Sequence, residues 1–143
     1  MTSHVSRYAA ADAVTAYAYF RAKLGFETDC QDVHDSQQDG SVDFVLVDAR
    51  GPNAFAAAHV PGAINIPHRE MNAERMAAFA ADTLFVVYCA GPHCNGANQA
   101  AMKLAQLGFA VKEMIGGITG WLDDGFTLTE SRLNTGEKIA CEC

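Results

Sequence analysis

Phe85-Val86-Val87-Tyr88-Cys89-Ala90-Gly91-Pro92-His93-Cys94-Asn95-Gly96 decides how this chain is read. The β-branched and aromatic run predicts a buried strand. The small-residue stretch predicts a loop, and Ala97 to Leu107 predicts a helix. A cysteine at that junction, Cys89, falls beneath the unpaired N–H groups and positive dipole end of the helix that follows. Such a setting is expected to lower the thiol pKa and to hold an anion over the sulfur. Cys89 is therefore the candidate nucleophile, against the plainer reading of a buried, inert cysteine closing a strand.

Working outward, Asp43 to Asp48 is a near-continuous apolar run of strand length, as expected in a parallel sheet buried on both faces. Pro52 to Ala58 suits a short helix with proline in its first turn. Ala63 to Ile66 and Val111 to Ile115 read as further strands, and Arg69 to Ala80 as helical. Upstream, Val14, Tyr17, Ala18, Arg21 and Leu24 fall at helical spacing before Gly25. Phe26 to Thr28 reads as a short strand, and Asp29 as the cap of a helix reaching Gln38. Strands alternating with helices predict one parallel sheet wrapped on both sides. Residues 1–40 are assigned to an N-terminal helical and short-strand segment of the same domain, 41–126 to its core, and 127–143 to an aperiodic, loosely packed tail.

The 143 residues suffice for one domain with a real hydrophobic core. A net charge of −7, with no basic run, argues against nucleic acid as a partner. No stretch approaches the length of a membrane span. The five cysteines are Cys30, Cys89, Cys94, Cys141 and Cys143, with no secretory signal read ahead of them. Reduced thiols in a cytoplasmic protein are the expectation, which makes them candidates for chemistry rather than scaffolding.

Several linked stretches add a resemblance. Val45-Leu46-Val47-Asp48-Ala49-Arg50, then Phe55, then His59-Val60-Pro61-Gly62-Ala63-Ile64-Asn65-Ile66-Pro67, occur in that order. Val87-Tyr88-Cys89, Leu107-Gly108-Phe109 and Gly116-Gly117-Ile118-Thr119-Gly120-Trp121 follow them. Together they resemble the rhodanese-like (sulfurtransferase) domain, from about Val42 to Phe126. The resemblance implies a three-layer α/β/α fold with a five-stranded parallel sheet. It also implies a cysteine, here Cys89, that accepts a sulfane sulfur as a persulfide and passes it to a thiol or cyanide, with no metal or organic cofactor. The implied partners are a small-molecule sulfur donor (thiosulfate, a persulfide or a polysulfide) and a thiol acceptor, small or carried on a protein.

The common rhodanese loop is compact and basic. This one has no Lys or Arg between Cys89 and Met102 and looks closer to a subgroup with a C-x-G-x-x-C-N loop. Anion binding would then rest on the N–H groups of Ala90, Gly91, His93, Asn95 and Gly96 and on the helix dipole, with Pro92, which has no N–H, a member of the same loop. Cys94 is an alternative nucleophile, a resolving thiol, the partner of Cys89 in a loop disulfide, or a passive residue. His93 either stabilises a thiolate or faces solvent. Asp48 and Arg50 read as a buried ion pair supporting the loop, and His59 as a backbone-bonding support. Trp121 reads as core packing. The terminal Cys141-Glu142-Cys143 is either a disordered tail or a mobile dithiol able to swing in and reduce a persulfide. The spacing of its cysteines with Cys89, Cys94 and His93 is not that of a zinc module.

Two other classes remain open: a thiol-disulfide redox protein using Cys89 and Cys94, and a non-catalytic sulfur-sensing or interaction module. A phosphatase or arsenate reductase built on a C-x5-R loop is disfavoured, because Asn95 stands where the arginine would be.

Overall fold

In the computed structural model, residues 1–131 and 139–142 are described. The elements run α1 (Ala13–Phe26), β1 (Glu27–Thr28), α2 (Cys30–Asp39), β2 (Val45–Asp48), α3 (Pro52–Ala57), β3 (Ala58–His59) and β4 (Ile64–Asn65). A 3-10 turn (His68–Glu70) then leads to α4 (Ala73–Met76), β5 (Leu84–Tyr88), α5 (Gly96–Gln106), β6 (Ala110–Met114), α6 (Gly117–Asp123) and β7 (Thr129–Glu130). Five strands form one parallel sheet in the order β1-β6-β5-β2-β4, flanked by helices on both sides.

The sheet's topology places the site. From β2 the chain moves outward to β4 on one side; from β5 it moves outward to β6 on the other. The β2/β5 boundary is thus the switch point, where open α/β sheets form their crevice beyond the strands' carboxyl ends. Asp48 lies in register with Tyr88 across that boundary and with Asn65 on its far side. The segments carrying Arg50 and Cys89 therefore leave the sheet side by side.

Alternation along β5 divides the core. Phe85 and Val87 point with Cys89 toward α4 and α5, packing against Met76, Ala100 and Leu104. Val86 and Tyr88 point the other way, toward Val33, Ile118 and Trp121 on α2 and α6. Full burial of both faces is why these strands read as unbroken apolar runs.

Three expectations are corrected. The helix expected to stop before Gly25 runs through it to Phe26, which leaves only Glu27–Thr28 as strand; it is capped by Asp12 accepting from the Thr15 N–H at 3.0 Å and buries none of its residues. Its apolar side chains, among them Tyr17, Tyr19, Phe20 and Leu24, are spread around the axis, so no single face can be covered. Helical structure after Arg69 is confined to the 3-10 turn and the four residues of α4, because the Asn72 side chain caps a new start by accepting from the Arg75 N–H at 2.8 Å. The tail is not loose where it is described. β7 pairs antiparallel with β3, and the Trp121 indole N–H donates to the Thr127 carbonyl at 2.9 Å.

Candidate active site

Cys89 follows β5 directly and is 2% exposed. Its backbone is held by α6: the Ile118 and Thr119 N–H groups donate to the Cys89 and Ala90 carbonyls at 3.1 and 3.0 Å. That approach requires glycine at Gly117, which has φ +56° and where a Cβ would overlap the Cys89 carbonyl oxygen. Gly91 is constrained by bulk instead, since a Cβ there would lie 2.6 Å from the Thr119 hydroxyl. The loop then makes a turn, the Cys94 N–H donating to the Gly91 carbonyl at 3.1 Å, and enters α5 after Asn95. Pro92 and His93 form the exposed tip of this turn.

The Cys89 thiol is pushed up rather than down, which corrects the expectation from the helix dipole. Burial is the largest cause, and the Asp48 charge adds to it. The Ala90 and Gly96 N–H groups that bond the sulfur, and the Arg50 guanidinium, oppose the shift. The N–H groups favour the thiolate as a helix N-terminus should, but the cost of excluding water outweighs them.

Asp48 and Arg50 are both fully buried and form an ion pair, Nη2 to Oδ2 at 2.8 Å and Nε to Oδ1 at 3.0 Å. The same guanidinium donates to the Ala58 carbonyl at 2.6 Å, and the Tyr88 hydroxyl also bonds Asp48 while accepting from the Val60 N–H at 3.0 Å. A buried pair this fully bonded fixes the floor of the crevice. His59 bonds the Phe55 carbonyl at 2.9 Å through Nδ1 and stacks on the Phe55 ring. It props the β3 connection. Trp121 is buried in the opposite cluster.

Of the tail's Cys141-Glu142-Cys143, offered by the sequence as a disordered tail or a mobile dithiol, Cys141 reaches the loop. Arg50 Nη1 donates to the Ala140 carbonyl at 3.1 Å, and the Gly51 N–H donates to the Glu142 carbonyl at 3.1 Å. The Glu142 carboxylate accepts from the Asn53 N–H at 2.9 Å, capping α3, in the space a side chain at Gly51 would fill. These bonds bring Cys141 over the loop. Cys141 and Cys94 are joined in a disulfide, with Cα atoms 6.7 Å apart. Cys89 stands outside that bond, its sulfur 2.7 Å from that of Cys94 and 3.3 Å from that of Cys141. The loop disulfide between Cys89 and Cys94 is therefore not the pairing seen. Cys143 lies outside the described residues.

Among the described residues, these three sulfurs are the one group with the composition of a metal site, lying within 4.8 Å of one another. Fully reduced, they offer three soft donors, a set suited to a thiophilic ion. With Cys94 and Cys141 joined, two of the three are spent. Sequence reasoning missed Ala140, Glu142 and Gly51. The only signal was a cysteine pair on the tail, because polar backbone contacts of this kind leave no periodic trace.

Residues 29–124 match the profile of the Rhodanese-like domain family. The BH2092 protein from Bacillus halodurans has a similar structure, with 36% identity, a TM-score of 0.81 and coverage of 89% of this chain and 90% of that one. A thiosulfate sulfurtransferase from Pseudomonas aeruginosa shares the fold at 21% identity and a TM-score of 0.65, with 78% of this chain and 21% of that one covered. Among curated proteins, the HTH-type transcriptional regulator Rv0324 of Mycobacterium tuberculosis is 38% identical over 85 residues, which is 59% of this chain and 37% of that protein. The chain thus spans little more than a third of the regulator's length. No helix among the described residues is long and apolar enough to cross a membrane.

Proposed function

The chain belongs to the rhodanese-like domain family, and from that membership and the surroundings of Cys89 we propose that it is a sulfurtransferase working through a Cys89 persulfide. The observation that carries the reading is a cysteine sulfur at the switch point of the sheet, bonded by the Ala90 and Gly96 N–H groups. Those donors oppose the burial cost of the thiolate, and in this reading the loop amides also stabilise the negative charge of a terminal persulfide sulfur. In the forward step the Cys89 thiolate attacks the outer sulfur of the donor. The new S–S bond forms as the donor's own S–S bond breaks, and its electron pair leaves with sulfite or a thiolate. A thiolate or cyanide acceptor then takes the outer sulfur and returns Cys89 as thiolate. With no Lys or Arg in the loop, thiosulfate is held by amides alone, so persulfide or polysulfide donors are preferred.

The test is intact-mass analysis of the reduced protein after thiosulfate, glutathione persulfide and polysulfide in parallel, followed by thiocyanate formation with cyanide. A gain of one sulfur on Cys89, discharged by cyanide, is the expected result. No loading by any of the three donors overturns the reading.

The similarity to a protein named as a transcriptional regulator favours a second reading, a sulfur-responsive module whose cysteine state a partner reads. Persulfide that forms but is not discharged by any acceptor would select it.

A further inference from the structure

We propose that Cys94 and Cys141 form a built-in dithiol that reduces the Cys89 persulfide to sulfide, giving the domain a persulfide-reducing activity beside sulfur transfer. This rests on the Cys89 persulfide reading above. Three observations converge on it. Cys94 and Cys141 both lie within 3.3 Å of the Cys89 sulfur. The bond present joins them to each other and leaves out the nucleophile. And Cys141 is not a stray thiol on a free end: Arg50, the residue buried against Asp48, holds the Ala140 carbonyl, while Glu142 caps α3. The site's own ion pair thus anchors the segment that carries the third sulfur.

The steps balance as two thiol exchanges. The Cys94 thiolate, the nearer of the two, attacks the inner sulfur of the Cys89 persulfide. The bond to the outer sulfur breaks and that sulfur leaves with the electron pair as hydrosulfide. Cys89 and Cys94 are then joined. The Cys141 thiolate attacks Cys94, the Cys89–Cys94 bond breaks, and Cys89 is released as thiolate with Cys94 and Cys141 bonded. Two thiols have lost two electrons and one sulfane sulfur has gained them. The end state is the pairing in the structure. An external dithiol reductant resets the pair. Docking the tail over the loop keeps the second thiol at high effective concentration, which favours the internal route over free acceptors.

The experiment uses the full chain, reduced and freed of reductant, with excess thiosulfate and, in parallel, glutathione persulfide with a glutathione-only control. Sulfide is quantified, and cysteines are alkylated before peptide mapping. The expected result is a burst of one sulfide per chain, with Cys94 and Cys141 joined. A stable persulfide then builds up on Cys89, because the dithiol is spent. Adding dithiothreitol should convert the burst into continuous sulfide release. Cys141→Ser should release its sulfide but stop with Cys89 joined to Cys94, unable to reload. Cys94→Ser should lose the burst.

A persulfide that persists from the first equivalent, with Cys94 and Cys141 both alkylated, overturns the proposal while leaving sulfur transfer intact. So does a final bond in the unmodified chain that includes Cys89. Failure of Cys89 to load in the cyanide assay with the same donors instead overturns the transfer reading beneath it.

Discussion

Cys30 and Cys89 are equally hidden from water, each 2% exposed, and sit on opposite faces of the same sheet. Their sulfurs meet opposite kinds of neighbour. Cys30, the first residue of α2, donates to the Ile115 carbonyl at 3.5 Å and the Gly117 carbonyl at 3.7 Å. Burial, with the Asp124 and Asp29 charges behind it, pushes its thiol up to about 12. Carbonyls and carboxylates stabilise S–H and repel S⁻. Cys89 is raised by burial too, but the Ala90 and Gly96 N–H groups and Arg50 work against that rise. Burial conceals a thiol; the direction of the dipoles around it decides whether it can still become a thiolate.

The sharpest way to break this comparison is to exchange sulfur for oxygen at each site. Cys89→Ser should lose persulfide loading and thiocyanate formation down to the uncatalysed background, because a serine hydroxyl is a far weaker nucleophile at neutral pH. Cys30→Ser should load at the unmodified rate. Loading that follows Cys30 would invert the assignment.

Next in size is the pair beneath Cys89. Asp48→Asn leaves the Arg50 guanidinium fully buried beside a neutral amide. Stripping one partner from a buried pair costs roughly 3–5 kcal/mol, to be read as a lower urea midpoint. The same change removes a charge that raises the Cys89 thiol. In the fraction that stays folded, alkylation of Cys89 at fixed pH should therefore become faster while stability falls. Slower alkylation would mean that Asp48 acts on the sulfur through loop position rather than charge.

A pH series separates the two thiols without mutation. Both begin above the ordinary thiol value of 9.0, so below that value the thiolate fraction of each climbs about tenfold per pH unit. In the reduced protein, Cys89 should be alkylated first and Cys30 only as the pH nears the region of about 12. Equal reactivity of the two at pH 9 would remove the role given to the loop amides.

How much of this was legible beforehand depends on the kind of signal each part leaves. β5 ends at Tyr88 as its apolar run does, and Asp29 caps α2 through the Asp32 N–H at 2.8 Å. Apolar runs and caps are written in adjacent residues and survive the reading of a single chain. The raised Cys89 thiol was not legible, because burial depends on packing by residues far along the sequence, Leu104 and Cys141 among them. The two chain ends show the same division. Helical spacing from Val14 to Leu24 marks a helix that forms and yet buries no residue, whereas the aperiodic Ala140 to Glu142 docks through a few polar bonds. Periodicity reports whether a helix forms, not whether anything covers it.

The docked tail gives a smaller effect. Glu142→Ala removes the carboxylate from the Asn53 N–H and leaves the start of α3 uncapped. A lost cap of this kind costs about 1 kcal/mol, so Cys141 should spend less time over the loop and its bond with Cys94 should form several-fold more slowly. Gly51→Ala should act in the same direction, since its methyl would occupy the space of the Glu142 side chain. Unchanged disulfide formation in both variants would shift the anchoring to Arg50 and Ala140 alone.

The smallest effect is expected at the thiol that the comparison makes inert. Cys30→Ala removes one buried sulfur and its single S–H donor, which the Ile115 and Gly117 carbonyls share. Near neutral pH the cost should be about 1 kcal/mol, with sulfur transfer unaltered. The alkaline limb behaves differently. An acid whose pKa is higher in the folded protein than in the unfolded chain keeps its stabilising effect below the unfolded value and loses it as pH rises toward the folded one. For Cys30 that window runs from the ordinary value of 9.0 to about 12. Cys30→Ala should therefore unfold less steeply with pH across that window than the unmodified protein. The remaining slope is left to Cys89 and to Tyr88, whose hydroxyl is also held well above its ordinary range by burial. Identical alkaline unfolding in the two proteins would show that Cys30 ionises as easily folded as unfolded, and the contrast between the two cysteines would then rest on reactivity alone.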